Sequence, residues 1–226
     1  MDARLHDWAI PQREYERQLA RRGRVHAYEA LAPAKTALVV VDMVPFFTRE
    51  SAYCRGIIPN INALASALRS AGGTVAWVLP AADARSAAHA AEFFGPAVAK
   101  LYAGSGGEGP LPGRLSPELE QQAGDLHAEK TAVSAFFPGR SNLHEQLQGL
   151  GIDTVIVTGT VTNVCCEGTA RDASTLGYRV IMPADGCATV NDAMHNATLT
   201  TIYRSFGDVR TTAELLALLS SAPGDR

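Results

Sequence analysis

Residues 153–173 read DTVIVTGTVTNVCCEGTARDA, an apolar run that passes through a Gly-Thr-rich turn into a helix-forming stretch whose opening carries two adjacent cysteines. Asp153 to Thr158 reads as a strand and Val164 to Leu176 as a helix closed by Gly177. A thiol at such a helix start faces unpaired backbone N–H groups and the positive end of the helix dipole, both of which favour thiolate. The competing reading is a small core hydrophobe, the usual fate of an unpaired cysteine, and Cys54 and Cys187 are taken that way. A Cys165–Cys166 disulfide is disfavoured, because adjacent trans-linked Cα atoms lie only about 3.8 Å apart, short of the usual disulfide span. Local context leaves nucleophile and core thiol both open for Cys165, so the decision falls to other segments.

Outward from this stretch the same grammar repeats. ALVVVD, residues 37–42, is a continuous β-branched run ended by an acid, as expected of a strand buried on both faces. TVAWVL, residues 74–79, is a second such run, stopped by Pro80. Shorter strands are expected at Leu126–Lys130, Arg179–Met182 and Asp208–Thr211. Helices are expected at Ile57–Ala71, Ser86–Tyr102 with an interruption at Gly95-Pro96, Asn142–Leu150 with Ser141 as N-cap, Asp192–Ser205 and Ala213–Ser220. Residues 46–56 and 103–117 read as loops. Six alternations of strand and helix predict a parallel sheet with helices on both faces. Residues 1–34 form an N-terminal extension, with a polar helix from Pro11 to Gly23 read as a surface helix or an arm against a neighbouring subunit. Residues 35–226 form the main domain.

The totals set bounds. With 226 residues, 46% of them hydrophobic and 19% charged, one domain has an ample core. A net charge of −3 offers no electrostatic footprint for nucleic acid. No apolar run is long enough to span a bilayer, and the polar run after Met1 has no signal-peptide pattern, so the cytoplasm is the expected compartment. Four cysteines in such a chain read as reduced thiols. Lysine is scarce: three of the twenty basic residues are Lys35, Lys100 and Lys130.

In open parallel sheets, ligands bind outside the carboxyl ends of the strands near the point where strand order reverses. Asp42 ends the first strand, Lys130 ends the third, and Cys165 opens the helix after the fourth. Singly, each has a bland reading as turn residue, solvated cation or core thiol. Jointly they offer a base, a cation and a nucleophile.

At these residues the sequence resembles a known family. ALVVVDMVPFF, EKTAVSAFF and TGTVTNVCCEGTARDA are similar to three signature stretches of the isochorismatase-like cysteine hydrolases, a group that includes nicotinamidases, carbamoylsarcosine and ureido amidohydrolases and streptothricin hydrolase; the likeness runs over about residues 36–212. The resemblance implies a three-layer α/β/α sandwich around a six-stranded parallel sheet. It implies a catalytic triad of Asp42, Lys130 and Cys165, with Cys166 a packing residue. It also implies a cis peptide between Thr160 and Val161 that turns the Val161 N–H toward that of Cys165 as an oxyanion hole, and a substrate contact from Phe47; Phe137 and Thr160 are expected beside it at the substrate. Phe46, Trp77 and Phe136 are further aromatic candidates, Trp77 and Phe136 being read first as core.

Departures from the family pattern narrow the expectation. Asp83 and His89 lack the spacing of the nicotinamidase metal cluster, so neither a metal nor another cofactor is expected, nor is nicotinamide as substrate. Val44 stands where the family often has Gln. Isochorismatases proper have no cysteine at the position of Cys165, so its presence points to C–N bond hydrolysis through a thioester on a small amide, ureide or lactam. The alternatives are vinyl-ether hydrolysis of the isochorismate type and a non-catalytic member that binds a small molecule or partner. None of the six histidines has metal-like or triad-like spacing. The resemblance further implies a homo-oligomer, dimer or tetramer, and the segments Phe46–Gly56 and Ala81–Arg114 are expected to shape the pocket.

Overall fold

A computed structural model describes residues 3–221. The strands are β1 (Thr36–Val41), β2 (Thr74–Pro80), β3 (Leu126–Lys130), β4 (Thr154–Thr160), β5 (Arg179–Pro183), β6 (Cys187–Ala188) and β7 (Asp208–Arg210). The helices are α1 (Gln12–Arg22), α2 (Pro45–Thr48), α3 (Ala52–Gly56), α4 (Ile58–Ser70), α5 (Ala84–Phe94), α6 (Pro96–Ala103), α7 (Leu143–Gly149), α8 (Glu167–Thr175), α9 (Asp192–Ser205) and α10 (Thr212–Ser221). A π turn, Thr162–Cys166, joins β4 to α8.

The sheet is parallel throughout, in the order β3-β2-β1-β4-β5-β7, with β6 paired to the far end of β4. The chain builds outward from β1 through β2 to β3, then returns to place β4 on the other side of β1. That reversal opens the crevice between the carboxyl ends of β1 and β4. β1 is central and buried along its whole length. Its side chains alternate between two cores. Val39 and Val41 meet Val157, Leu147, Ala170 and Leu199 on the face covered by α7, α8 and α9, while Leu38 and Val40 meet Ile61, Leu64, Leu68 and Leu215 on the face covered by α4 and α10. This is why the sequence of β1 is continuously apolar instead of alternating.

The expected architecture is present, with local differences. β6 is a two-residue strand that its sequence, Cys187-Ala188, does not announce. The expected loop 46–56 contains α2 and α3, the latter capped by Ser51, whose hydroxyl accepts the Cys54 N–H at 3.2 Å. Gly95-Pro96 divides one expected helix into α5 and α6. Ser141 sits one residue before the cap of α7, yet its hydroxyl still accepts the Leu143 N–H at 3.3 Å. Trp77 is core, with its indole N–H donated to Asp125 at 2.8 Å, and Phe136 is core as well.

The N-terminal extension packs on its own chain. Gln18 donates to the Tyr203 carbonyl, Asn196 joins the backbone of Asp7 and Ala9, and Glu14 pairs with Arg204, so the inner face of α1 is occupied by α9. Ile10 and Leu31 enter the two cores. Leu5, Leu19 and Val25 of the extension are exposed, and a denser group of exposed apolar side chains lies on α5 and α6, at Phe93, Phe94, Leu101 and Tyr102. Among the described residues no helix is long and apolar enough to cross a membrane.

Gly159 sets the depth of the crevice. Its φ is +110°, and a Cβ there would lie 2.1 Å from the Val41 carbonyl oxygen of the neighbouring strand. Both conditions exclude any side chain. Gly159→Ala is expected to cost about 2 kcal/mol or more, lowering Tm by about 5 °C or preventing folding; a melt indistinguishable from wild type would contradict this strand approach.

Candidate active site

Three side chains converge at the crevice from segments far apart in sequence. Asp42 follows β1 with φ +54°, a left-handed conformation that Asp tolerates better than most residues and that turns the chain out of the sheet. Its N–H still donates to the Val78 carbonyl at 2.9 Å, so the ladder to β2 holds up to the turn. Lys130 ends β3 and extends across β2. Its ammonium donates to Asp42 Oδ2 at 2.9 Å, to the Ala132 carbonyl at 3.2 Å and to Cys165 Sγ at 3.5 Å.

The loop after β3 is clamped to α8. Thr169 Oγ1 accepts the Ala135 N–H at 3.1 Å, and a Cβ on Gly168 would sit 3.1 Å from the Val133 side chain. The clamp fixes the Ala132 carbonyl that steers the ammonium.

Asp42 and Lys130 are almost wholly buried, with relative exposures of 1% and 3%. Two charges can remain in such a place only as a pair. Burial pushes the Asp42 carboxyl above its usual range against the pull of Lys130. Lys130 is held above the ordinary lysine value because Asp42 and Cys165 outweigh the cost of its own burial. The second carboxylate oxygen, Asp42 Oδ1, is buried without a partner at hydrogen-bonding geometry. It is the free acceptor of the site.

Cys165 is partly exposed, whereas Cys54, Cys166 and Cys187 are buried. Its ionisation differs from the expectation drawn from a helix start. Burial first, and then the Asp42 carboxylate, push the thiol up to about 12 against the opposing effect of Lys130. Burial and the neighbouring carboxylate together favour the protonated thiol. The local geometry differs as well, because Cys165 lies within the π turn ahead of α8, so its own N–H is not at the first turn of an α-helix.

The Thr160–Val161 peptide is cis. Thr160, expected at the substrate, is fully buried, and its hydroxyl turns into the body to meet the Ala188 carbonyl and Cys54 Sγ, each at 3.4 Å. Its side chain does not reach the cleft. Phe137 is exposed at 51% and Phe47 is half-buried beside Phe46. Phe46 lines a cavity of about 360 Å³ together with Arg49, Ser105, Glu108 and Arg114, so residues of the segments 46–56 and 81–114 face each other across it. Asp83 pairs with Arg140 at 2.5 Å. Among the described residues no group of three or more His, Cys, Asp or Glu side chains is arranged to hold a metal ion.

The sequence reading missed the polar anchors beneath the turn. Thr162 Oγ1 meets His195 Nδ1 at 3.0 Å, and the Thr189 hydroxyl donates to Asn163 Oδ1 at 2.7 Å. No local pattern marks these residues, because their partners are 26 to 33 positions away.

Comparison with known proteins places this site in context. The isochorismatase domain matches residues 36–214. The isochorismatase family protein YwoC of Bacillus subtilis is 34% identical over 189 residues, covering 80% of this chain and 93% of that protein. Ureidoacrylate amidohydrolase RutB of Rhizobium rhizogenes is 29% identical over 221 residues, covering 85% of this chain and 86% of its own length. Among solved structures, a cysteine hydrolase from Pseudomonas syringae pv. phaseolicola superposes with a TM-score of 0.74 at 29% identity, covering 86% of this chain and 96% of that one.

Removing the ammonium tests the electrostatics. In Lys130→Met the Asp42 carboxyl loses its counter-charge, and its folded pKa rises further above the unfolded value. A carboxyl shifted upward costs nothing below its unfolded pKa; the penalty grows as pH rises towards the folded value and is complete above it. The variant should be about 3 kcal/mol less stable than wild type near neutrality, with the deficit shrinking as pH falls into the carboxylate range. Urea denaturation at neutral and acidic pH reads this; a deficit independent of pH would contradict it.

Proposed function

The chain belongs to the isochorismatase family, and from that premise we propose that it is a cysteine amidohydrolase that cleaves the C–N bond of a small amide, ureide or lactam. The observation that carries the reading is the single ammonium that touches both a buried carboxylate and the one partly exposed thiol. A carboxylate with a raised pKa suits proton transfer near neutral pH. RutB acts on a ureide by its name, which favours an acyclic ureide or amide within the class.

The steps follow from the charges. Because the thiol is protonated at rest, attack on the substrate carbonyl is coupled to transfer of the Sγ proton to Asp42. Lys130 stays charged and stabilises the sulfur as it loses its proton. The tetrahedral oxyanion is held by the N–H groups of Val161 and Cys165. Its collapse breaks the C–N bond, and the nitrogen leaves with the proton from Asp42, so a thioester remains on Cys165. Asp42 then takes a proton from water, the hydroxide displaces the sulfur, and the acid is released with the thiol restored. Phe47 and Phe137 supply apolar contact for the substrate.

Cys165→Ser should lower turnover on a panel of amides, ureides and lactams by about a thousandfold or more, while wild type accumulates a thioester adduct visible by mass spectrometry. Iodoacetamide should label Cys165 before the three buried thiols, at a rate that climbs with pH and shows no plateau near neutrality. Full turnover by Cys165→Ser would sink the mechanism. Cleavage of isochorismate that survives thiol blocking would favour vinyl-ether hydrolysis instead.

A further inference from the structure

Beneath the π turn two histidine rings lie face to face. His6, from the segment before α1, stacks on Tyr53 of α3 with centroids 3.8 Å apart and on His195 of α9 at 4.3 Å. The Arg4 guanidinium covers the outer side of Tyr53 at 4.2 Å. His6 and His195 are both buried.

Hydrogen bonds fix the tautomer of each ring. His6 Nε2 accepts the Thr189 N–H at 3.0 Å, so its proton is on Nδ1, donated to Asp192 at 2.7 Å. His195 Nε2 faces the Ala184 carbonyl at 2.9 Å and must donate, which leaves Nδ1 to accept the Thr162 hydroxyl. Accepting a backbone N–H requires His6 to be neutral, whereas His195 meets a hydroxyl that can serve either role and is kept neutral by its complete burial. Burial agrees with this, pushing His195 down to about 4 and His6 below its usual value.

Both rings are linked to the segment that carries the nucleophile. His195 holds Thr162, the first residue of the π turn. His6 holds Thr189, whose hydroxyl holds Asn163, the second. Within the turn, the Val161 carbonyl accepts both the Val164 N–H at 3.1 Å and the Cys166 N–H at 3.3 Å. One shared acceptor leaves such a turn less well determined than an α-helix, and side-chain anchors supply the missing constraint.

We propose that the His6–His195 stack is a positioning device for Cys165, in which two neutral imidazoles grip Thr162 and Asn163 and so set the sulfur against Lys130 and Asp42. The inference rests on the reading of Cys165 as nucleophile. It also brings the N-terminal extension into the working of the site, because His6 lies outside the matched residues 36–214.

The test uses p-nitrophenyl acetate as a general acyl donor and iodoacetamide as a probe that needs no turnover. Thr162→Val keeps the shape of the side chain but removes the hydroxyl. It should slow acylation of Cys165 about tenfold or more with an unchanged half-saturating concentration, and Thr162→Ser should restore the rate. His6→Phe keeps the stack, loses the bonds to Thr189 and Asp192, and should slow acylation likewise. Wild-type acylation by Thr162→Val, or failure of Thr162→Ser to recover it, overturns the proposal. Should wild type form no adduct at Cys165, the proposed hydrolase mechanism fails, and positioning is then read from the pH profile of Cys165 alkylation. A sulfur released from Asp42 and Lys130 would shift that profile towards an ordinary thiol, whereas identical profiles in wild type and Thr162→Val overturn the inference.

Discussion

The contact between Lys130 and Asp42 is the constraint on which the site depends. A carboxylate and an ammonium are removed from water at the ends of two strands that do not touch each other, β1 and β3, and their mutual attraction must offset the cost of desolvating both. That requirement dictates much of the surrounding structure. It calls for the left-handed turn at Asp42, the reach of Lys130 across β2, and the loop after β3 that is pinned to α8 so that the Ala132 carbonyl meets the ammonium. The sulfur occupies the third position around this pair and is the most exposed of the three.

Such an arrangement favours a quiet resting state. A thiolate would add a second negative charge beside Asp42 in a poorly solvated place, and one ammonium does not compensate both. In the proposed mechanism the thiol keeps its proton until the carbonyl of a substrate can take up the negative charge as an oxyanion. In this reading reactivity is conditional on a bound acyl group, which protects a partly exposed cysteine from indiscriminate chemistry.

The parts of this design legible in the sequence are those written in single segments. The β-branched runs of β1, β2 and β4 announce strands buried on both faces, and the residues that end or follow them fall where a parallel sheet binds ligands. Asp42, Lys130 and Cys165 could thus be singled out before their proximity was known. The ionisation of Cys165 was not legible, because a helix-start argument counts nearby dipoles and cations but not burial or a carboxylate delivered from 123 positions earlier. The π turn was equally hidden, since its pattern of apolar residues is that of the helix it precedes. Thr160 has the composition of a substrate contact, but β6 pairs with β4 at that residue and draws its hydroxyl inward. The short strand was itself invisible, being two small residues in a turn-rich segment.

The histidines show why spacing rules fail for residues that act through others. His6 and His195 are 189 positions apart and carry no ligand-like pattern, yet the fold stacks them under the turn because α9 lies along the segment that precedes α1. A buried imidazole that must both donate and accept has little freedom to rotate, and stacking between Tyr53 and His195 leaves the His6 ring less still. Rigidity of this kind passes to whatever the rings hold. Here they hold Thr162 and, through Thr189, Asn163, so the order of the core beneath the sheet end is transmitted to the sulfur.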